Sequence, residues 1–161
     1  MESVTARKIA VKADCSTQPI FRLYHDMEEL WQELFEEAIT FFEDYYQQAE
    51  RYDSTPFVNL GMTYIQFAAE EKNIFQMLFL AENRYGKSLY EILNGKSGVV
   101  QCEVRKAKEE GSENPEELFE KMWIFIHGCA GMTITGDYNR KLEDTVELLK
   151  SMYRGFRTLE G

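Results

Sequence analysis

The sequence predicts an all-α protein, and three observations carry that expectation. Apolar residues recur at intervals of three and four along much of its 161 residues, the period that places side chains on one face of a helix. Helix-capping residues stand at the heads of these stripes, at Thr5, Asp26, Thr55 and Asn114. Strand-like alternation is not convincing in any segment. Ser97-Gly-Val-Val-Gln-Cys-Glu-Val104 comes nearest and could equally open a helix.

At the N-terminus, Thr5 caps a short helix that carries Ile9, Ala10 and Ala13 on one side. Asp14-Cys15-Ser16 breaks it. Ser16 caps a second short helix in which Pro19 falls in the first turn, where a missing N–H is tolerated, and Phe21 and Tyr24 follow at helical spacing. Two short helices joined by a three-residue turn form a helix-turn-helix, the geometry that lays a second helix in the DNA major groove.

From Asp26 the pattern becomes one long helix. Asp26-Met-Glu-Glu29 has capping-box spacing, and the stripe Leu30, Trp31, Leu34, Phe35, Ala38, Phe41, Phe42, Tyr45 and Tyr46 follows over about 20 residues, some 30 Å at 1.5 Å per residue. Glu28, Glu29, Glu33, Glu36, Glu37 and Glu43 form its solvated side. Tyr52-Asp-Ser-Thr-Pro56 is a loop, and Thr55 before Pro56 marks the next helix, which runs to about Lys72 with Leu60, Tyr64, Phe67 and Ala68 buried. Ile74–Leu80 continues helically after a break near Asn73. Gly86, Gly95, Gly98 and Gly111 punctuate a middle region with room for two shorter helices.

Asn114-Pro-Glu-Glu117 supplies a cap, an N1 proline and a capping-box glutamate. The helix it opens is apolar all round between Met122 and Ile126, so it needs cover on most sides. Gly128 and Gly131 inside it cost about 1 kcal/mol each relative to alanine, which suggests close approach of another backbone. Gly136 ends it. A last helix from about Tyr138 sets Leu142, Val146, Leu149, Met152 and Phe156 on one face.

Composition bounds the function. Hydrophobic residues make up 44% and aromatics 14%, as in an ordered globular chain. The net charge of −10 opposes nonspecific attraction to phosphate, so DNA binding needs a locally basic element. Residues 1–24 supply one, with Arg7, Lys8, Lys12 and Arg22 against Glu2 and Asp14, a balance of +2, while the other residues carry −12. Cys15, Cys102 and Cys129 are too few and too scattered for a disulfide framework or a zinc motif, which points to a reducing cytoplasm. No apolar run approaches the roughly 20 residues of a membrane span. His127 and Cys129 lie two apart and cannot share a metal from one helix face. No nucleophile, isolated carboxylate pair or phosphate-binding glycine pattern indicates an enzyme, and no cofactor is implied.

Two blocks resemble the tetracycline-repressor (TetR) family of transcriptional regulators. The first is Val4-Thr-Ala-Arg-Lys-Ile-Ala-Val-Lys-Ala-Asp-Cys-Ser-Thr-Gln-Pro-Ile-Phe-Arg-Leu-Tyr-His-Asp-Met-Glu-Glu-Leu30, similar to that family's second and third helices and the start of its fourth. The second comprises Tyr64-Ile-Gln-Phe-Ala68, Asn73-Ile-Phe-Gln-Met-Leu-Phe79 and Trp123-Ile-Phe-Ile-His-Gly-Cys-Ala130, similar to the subgroup with a tryptophan and a His-Gly pair in the penultimate helix. The resemblance implies a helix-turn-helix head over residues 1–27 and a helical ligand-binding and dimerisation domain over 28–161. It further implies a homodimer on double-stranded, palindromic operator DNA, released by a small apolar effector.

On that resemblance, Ser16, Thr17, Gln18, Phe21 and Arg22 match positions at or near the groove, Gln18 being suited to bond adenine bidentately. Thr5 marks a helix N-terminus that offers amides to phosphate. Phe41, Tyr45, Met62, Phe67, Met77, Phe79, Trp123 and His127 are candidate linings of an apolar effector pocket, the alternative being plain core. Gly128, Gly131 and Met132, with Leu142, Val146, Leu149 and Met152, would form the dimer seam, the alternative being packing within one chain.

The chain departs from the family in three places. A first helix of about 20 residues ordinarily precedes the first block, where this sequence has Met1 to Val4, so Ile9, Ala13 and Phe21 are expected to lose cover. Met27 replaces a phosphate-contacting lysine, and Asp14 replaces a turn glycine, a mild change because aspartate tolerates left-handed backbone. These departures leave a second expectation, a dimeric ligand- or partner-binding module without operator binding.

Overall fold

The computed structural model describes residues 5–160, which form nine α-helices, one π-helical turn and no strand. They divide into two units, Met1–Ala38 and Ile39–Gly161.

The first unit contains α1 (Ala6–Lys12), α2 (Gln18–Leu23) and the opening of α3 (Met27–Gln48). Thr5 Oγ1 accepts the Lys8 amide at 3.3 Å and starts α1 as expected. Asp14 adopts φ 51°, the left-handed turn geometry that aspartate tolerates. The link to α2 spans residues 13–17, longer than the expected three, and Thr17 rather than Ser16 occupies the N-cap without a side-chain bond. Asp26 Oδ1 accepts the Glu29 amide at 2.9 Å, and Glu29 reaches back to the His25 amide at 2.6 Å, a capping box displaced by one residue. Ala6, Ala10, Ile20 and Leu30 form a small buried cluster, with Ile9, Tyr24 and Met27 packed on it.

In the second unit the helix after the loop starts later than the Thr55-Pro56 pair predicts. α4 runs Val58–Glu70, and Phe57 before it takes a left-handed φ of 66°. The cause is local. Thr55 donates its hydroxyl to Asp53 at 2.6 Å and so is not a cap, while the Phe57 amide donates to Glu103 of a distant helix at 2.6 Å. Val58 to Ile65 is buried without interruption, so α4, and not the helix expected to be covered all round, is the central element.

The chain then breaks at Glu71, two residues before the expected place, and continues as α5 (Lys72–Phe75) and a π turn (Gln76–Leu80). Two short helices fill the middle region. α6 (Leu89–Asn94) opens with a Ser88–Glu91 capping box, and α7 (Val99–Glu109) takes up the Ser97–Val104 segment from Val99 onward, so that segment opens a helix rather than a strand. α8 (Pro115–Thr135) has Asn114 as its cap and ends at Gly136, whose φ of 86° suits glycine. α9 (Leu142–Arg157) starts four residues later than expected, after Tyr138 bonds Thr145 at 3.1 Å across the turn.

The glycines of α8 are placed otherwise than their position inside a helix suggests. A Cβ on Gly128 or Gly131 would meet nothing within 4 Å, so among the described residues no backbone approaches them. The close approach occurs at Gly61 of α4, where a Cβ would lie 3.0 Å from Ile126 Cδ1 and from Leu149 Cδ1.

Candidate functional site

The α1–α2 segment buries little and exposes much. Ala10 and Ile20 face the small cluster, which leaves Ser16, Gln18, Phe21 and Arg22 exposed and Thr17 half-buried. Phe21 is 56% exposed, and Val11 and Leu23 are also open to solvent. Ala13 is exposed and Ile9 half-buried. The Gln18 amide and Arg22 guanidinium are therefore available to a partner from one short helix. Thr5 already spends its hydroxyl on the Lys8 amide, and Met27 packs on the cluster.

The aromatic residues of the body gather around Tyr64. Its ring centroid lies 4.6 Å from Trp123, 4.7 Å from Phe79 and 4.8 Å from Phe75. Such edge-on pairs each add roughly 0.5–1.5 kcal/mol beyond burial. Phe67 sits one ring further out, 4.9 Å from Phe42 and 5.0 Å from Tyr45, with Phe41 at 6.1 Å on the exposed side. The candidate pocket residues Phe67, Phe79, Trp123 and His127 are thus brought together, packed ring against ring. Tyr45 turns its hydroxyl out to Glu70 at 2.7 Å. Met62 is buried elsewhere, in a cleft of about 150 Å³ shared with Thr133 and Tyr138, and Met77 is half-buried on the π turn.

Polar chemistry enters this cluster at one point. The Tyr64 hydroxyl and His127 Nδ1 are 2.9 Å apart. Burial raises the phenol well above its ordinary value, and burial followed by the charge of Arg84 lowers the imidazole. Both groups are held neutral. With the phenol donating to Nδ1, the neutral imidazole carries its proton on Nε2.

A second polar feature carries no signal in local sequence motifs. Glu103, 3% exposed, accepts the Phe57 amide and pairs with Lys106 at 2.5 Å beside a cleft of about 240 Å³. Its spacing gives it away. Val100, Glu103 and Ala107 share the buried face of α7, so a carboxylate stands where apolar residues belong and needs a partner. Asn59 is similarly committed, its Oδ1 accepting the Tyr52 and Asp53 amides at 2.7 and 3.2 Å.

Of the candidate seam residues, Gly128 and Met132 are exposed and Gly131 half-buried, with Ile124 exposed on the same side of α8. On α9, Leu142 is exposed and Val146 and Met152 are half-buried, whereas Leu149 is completely buried within its own chain against Gly61. Among the described residues no helix is long and apolar enough to cross a membrane. The chain matches no family model, no curated protein and no solved structure.

Proposed function

We propose that the chain is a TetR-type one-component transcriptional regulator, a ligand-responsive repressor that binds a palindromic operator as a homodimer. The observation that carries this reading is the α1–α2 pair. It keeps Ala10 and Ile20 inward while Gln18, Phe21 and Arg22 stay exposed, within an N-terminal stretch of net positive charge in an acidic chain. The two sequence blocks that resemble the TetR family add to it. The aromatic cluster around Tyr64 and His127 supports an apolar effector in the body, and the open side of α8 supports pairing with a second copy.

In vitro selection from random duplex DNA at low salt tests the reading. Enrichment of a palindromic sequence, with affinity that falls as salt rises and specificity that relaxes in Gln18→Ala, is the expected result. A second reading, a dimeric ligand- or partner-binding module without operator binding, has its own support in the exposed Val11, Phe21 and Leu23 and in the packed Met27. Failure of any sequence to enrich favours it.

A further inference from the structure

A cleft of about 590 Å³ opens where α6, α7 and α8 meet, within the 300–1,000 Å³ common for small-molecule sites. Its walls are aromatic. Tyr90 and Phe119 meet edge to face with centroids 6.1 Å apart, and Tyr90 is 44% exposed, so flat apolar surface lies open to water. Its rim is cationic. Arg105 and Lys108 stand one turn apart on α7, both exposed and neither in an ion pair among the described residues, while Glu116 and Gln101 complete the polar lining. In a chain of net charge −10, two unpaired cations against one carboxylate make a local reversal of sign.

We propose that this cleft binds a flat aromatic molecule bearing an acid group. The ring lies against Tyr90 and Phe119, and the carboxylate or sulfonate accepts hydrogen bonds from Arg105 and Lys108. Glu116 disfavours a second negative charge on the ligand. Phe119 also stacks on Trp123 at 6.2 Å, so an occupant of the cleft lies one ring away from an intrinsic fluorophore and two rings away from the Tyr64–His127 pair. The proposal rests on the cleft alone and holds whether or not the chain binds an operator.

Two probes with the same rings separate its parts: anilinonaphthalene sulfonate and the uncharged phenylnaphthylamine. The full chain should bind the sulfonate saturably at one site, with quenching of Trp123 emission read in a Trp31→Phe background. Arg105→Gln with Lys108→Gln should weaken the sulfonate by more than about tenfold, as expected for lost charge-assisted bonds, and change the neutral probe by less than about threefold. Phe119→Leu should weaken both. Arg105 and Lys108 are exposed, and an unchanged melting temperature verifies that their variants fold. The proposal is overturned if binding is not saturable, or if the double variant binds the sulfonate as wild type does. Attachment to the exposed Val11, Phe21 and Leu23 would produce that second pattern, with Trp123 unquenched.

Discussion

α8 has two faces built from similar residues and used in opposite ways. On its inner face Leu118, Met122, Ile126 and Ala130 are at most 1% exposed, and α4 comes so near that only glycine fits at position 61 without displacing Ile126 or Leu149. On its outer face Ile124 is 66% and Met132 47% exposed, and Gly128 and Gly131 have open space beside them. A glycine inside a helix therefore does not itself report a close neighbour. What decides is the facing element, and on the outer face the described residues of one chain supply none.

The inner face should respond most strongly. Ile126→Ala removes a fully buried side chain between α8 and α4 and is expected to cost about 2–5 kcal/mol in urea unfolding. Gly61→Ala acts on the same contact from the other side. Its methyl needs Ile126 and Leu149 to give way, an overpacking cost of about 1–3 kcal/mol. Because the two changes share one space, the double variant should be more stable than the sum of the single effects requires, and strict additivity would mean that they do not share it.

The difference between the faces also explains what could be read in advance. Thr5, Asp26, Asn114 and Gly136 were legible because each acts on backbone within a few residues of itself, and the long stripes of α3 and α8 repeat often enough to specify a helix. Gly61 was not, because its need arises from side chains at positions 126 and 149. Glu103 and Phe57 meet across 46 residues, and that contact moves the start of α4 past the local Thr-Pro signal. At the candidate sites, the sequence named Phe67, Phe79, Trp123 and His127, which do cluster, but it did not separate packed rings from the open cleft at Tyr90 and Phe119.

Gly128→Ala tests the outer face with the opposite sign. A methyl there meets nothing within 4 Å and removes the flexibility penalty of a helical glycine, so the monomer should gain about 1 kcal/mol. A loss of stability at low protein concentration would mean that a neighbour does approach this position.

His127 lies next to Gly128 and gives a smaller, pH-dependent effect, since the ring is only half-buried. Its folded pKa is lowered, first by burial and then by Arg84, below the unfolded value of about 6.5. The stabilisation is therefore fully present above that pH and lost as pH falls through the folded value. Thermal melts should show stability declining on that side, and His127→Gln should flatten the slope between pH 7 and 5. An unchanged slope would locate the pH dependence in other groups.

The smallest effect on folding is expected at Ile124. Glu there exchanges one exposed side chain for another, and monomer stability should stay within about 0.5 kcal/mol. Association should not be so indifferent. If the outer face of α8 pairs with a second copy, Ile124→Glu places a charge in a twofold-repeated apolar contact, so each dimer acquires two buried carboxylates that face like charge. Sedimentation should then show a shift from dimer toward monomer with the melting curve of the dilute protein unchanged. A variant that remains dimeric would move the seam off this face, and the open surface of Ile124, Gly128 and Met132 would need a different partner.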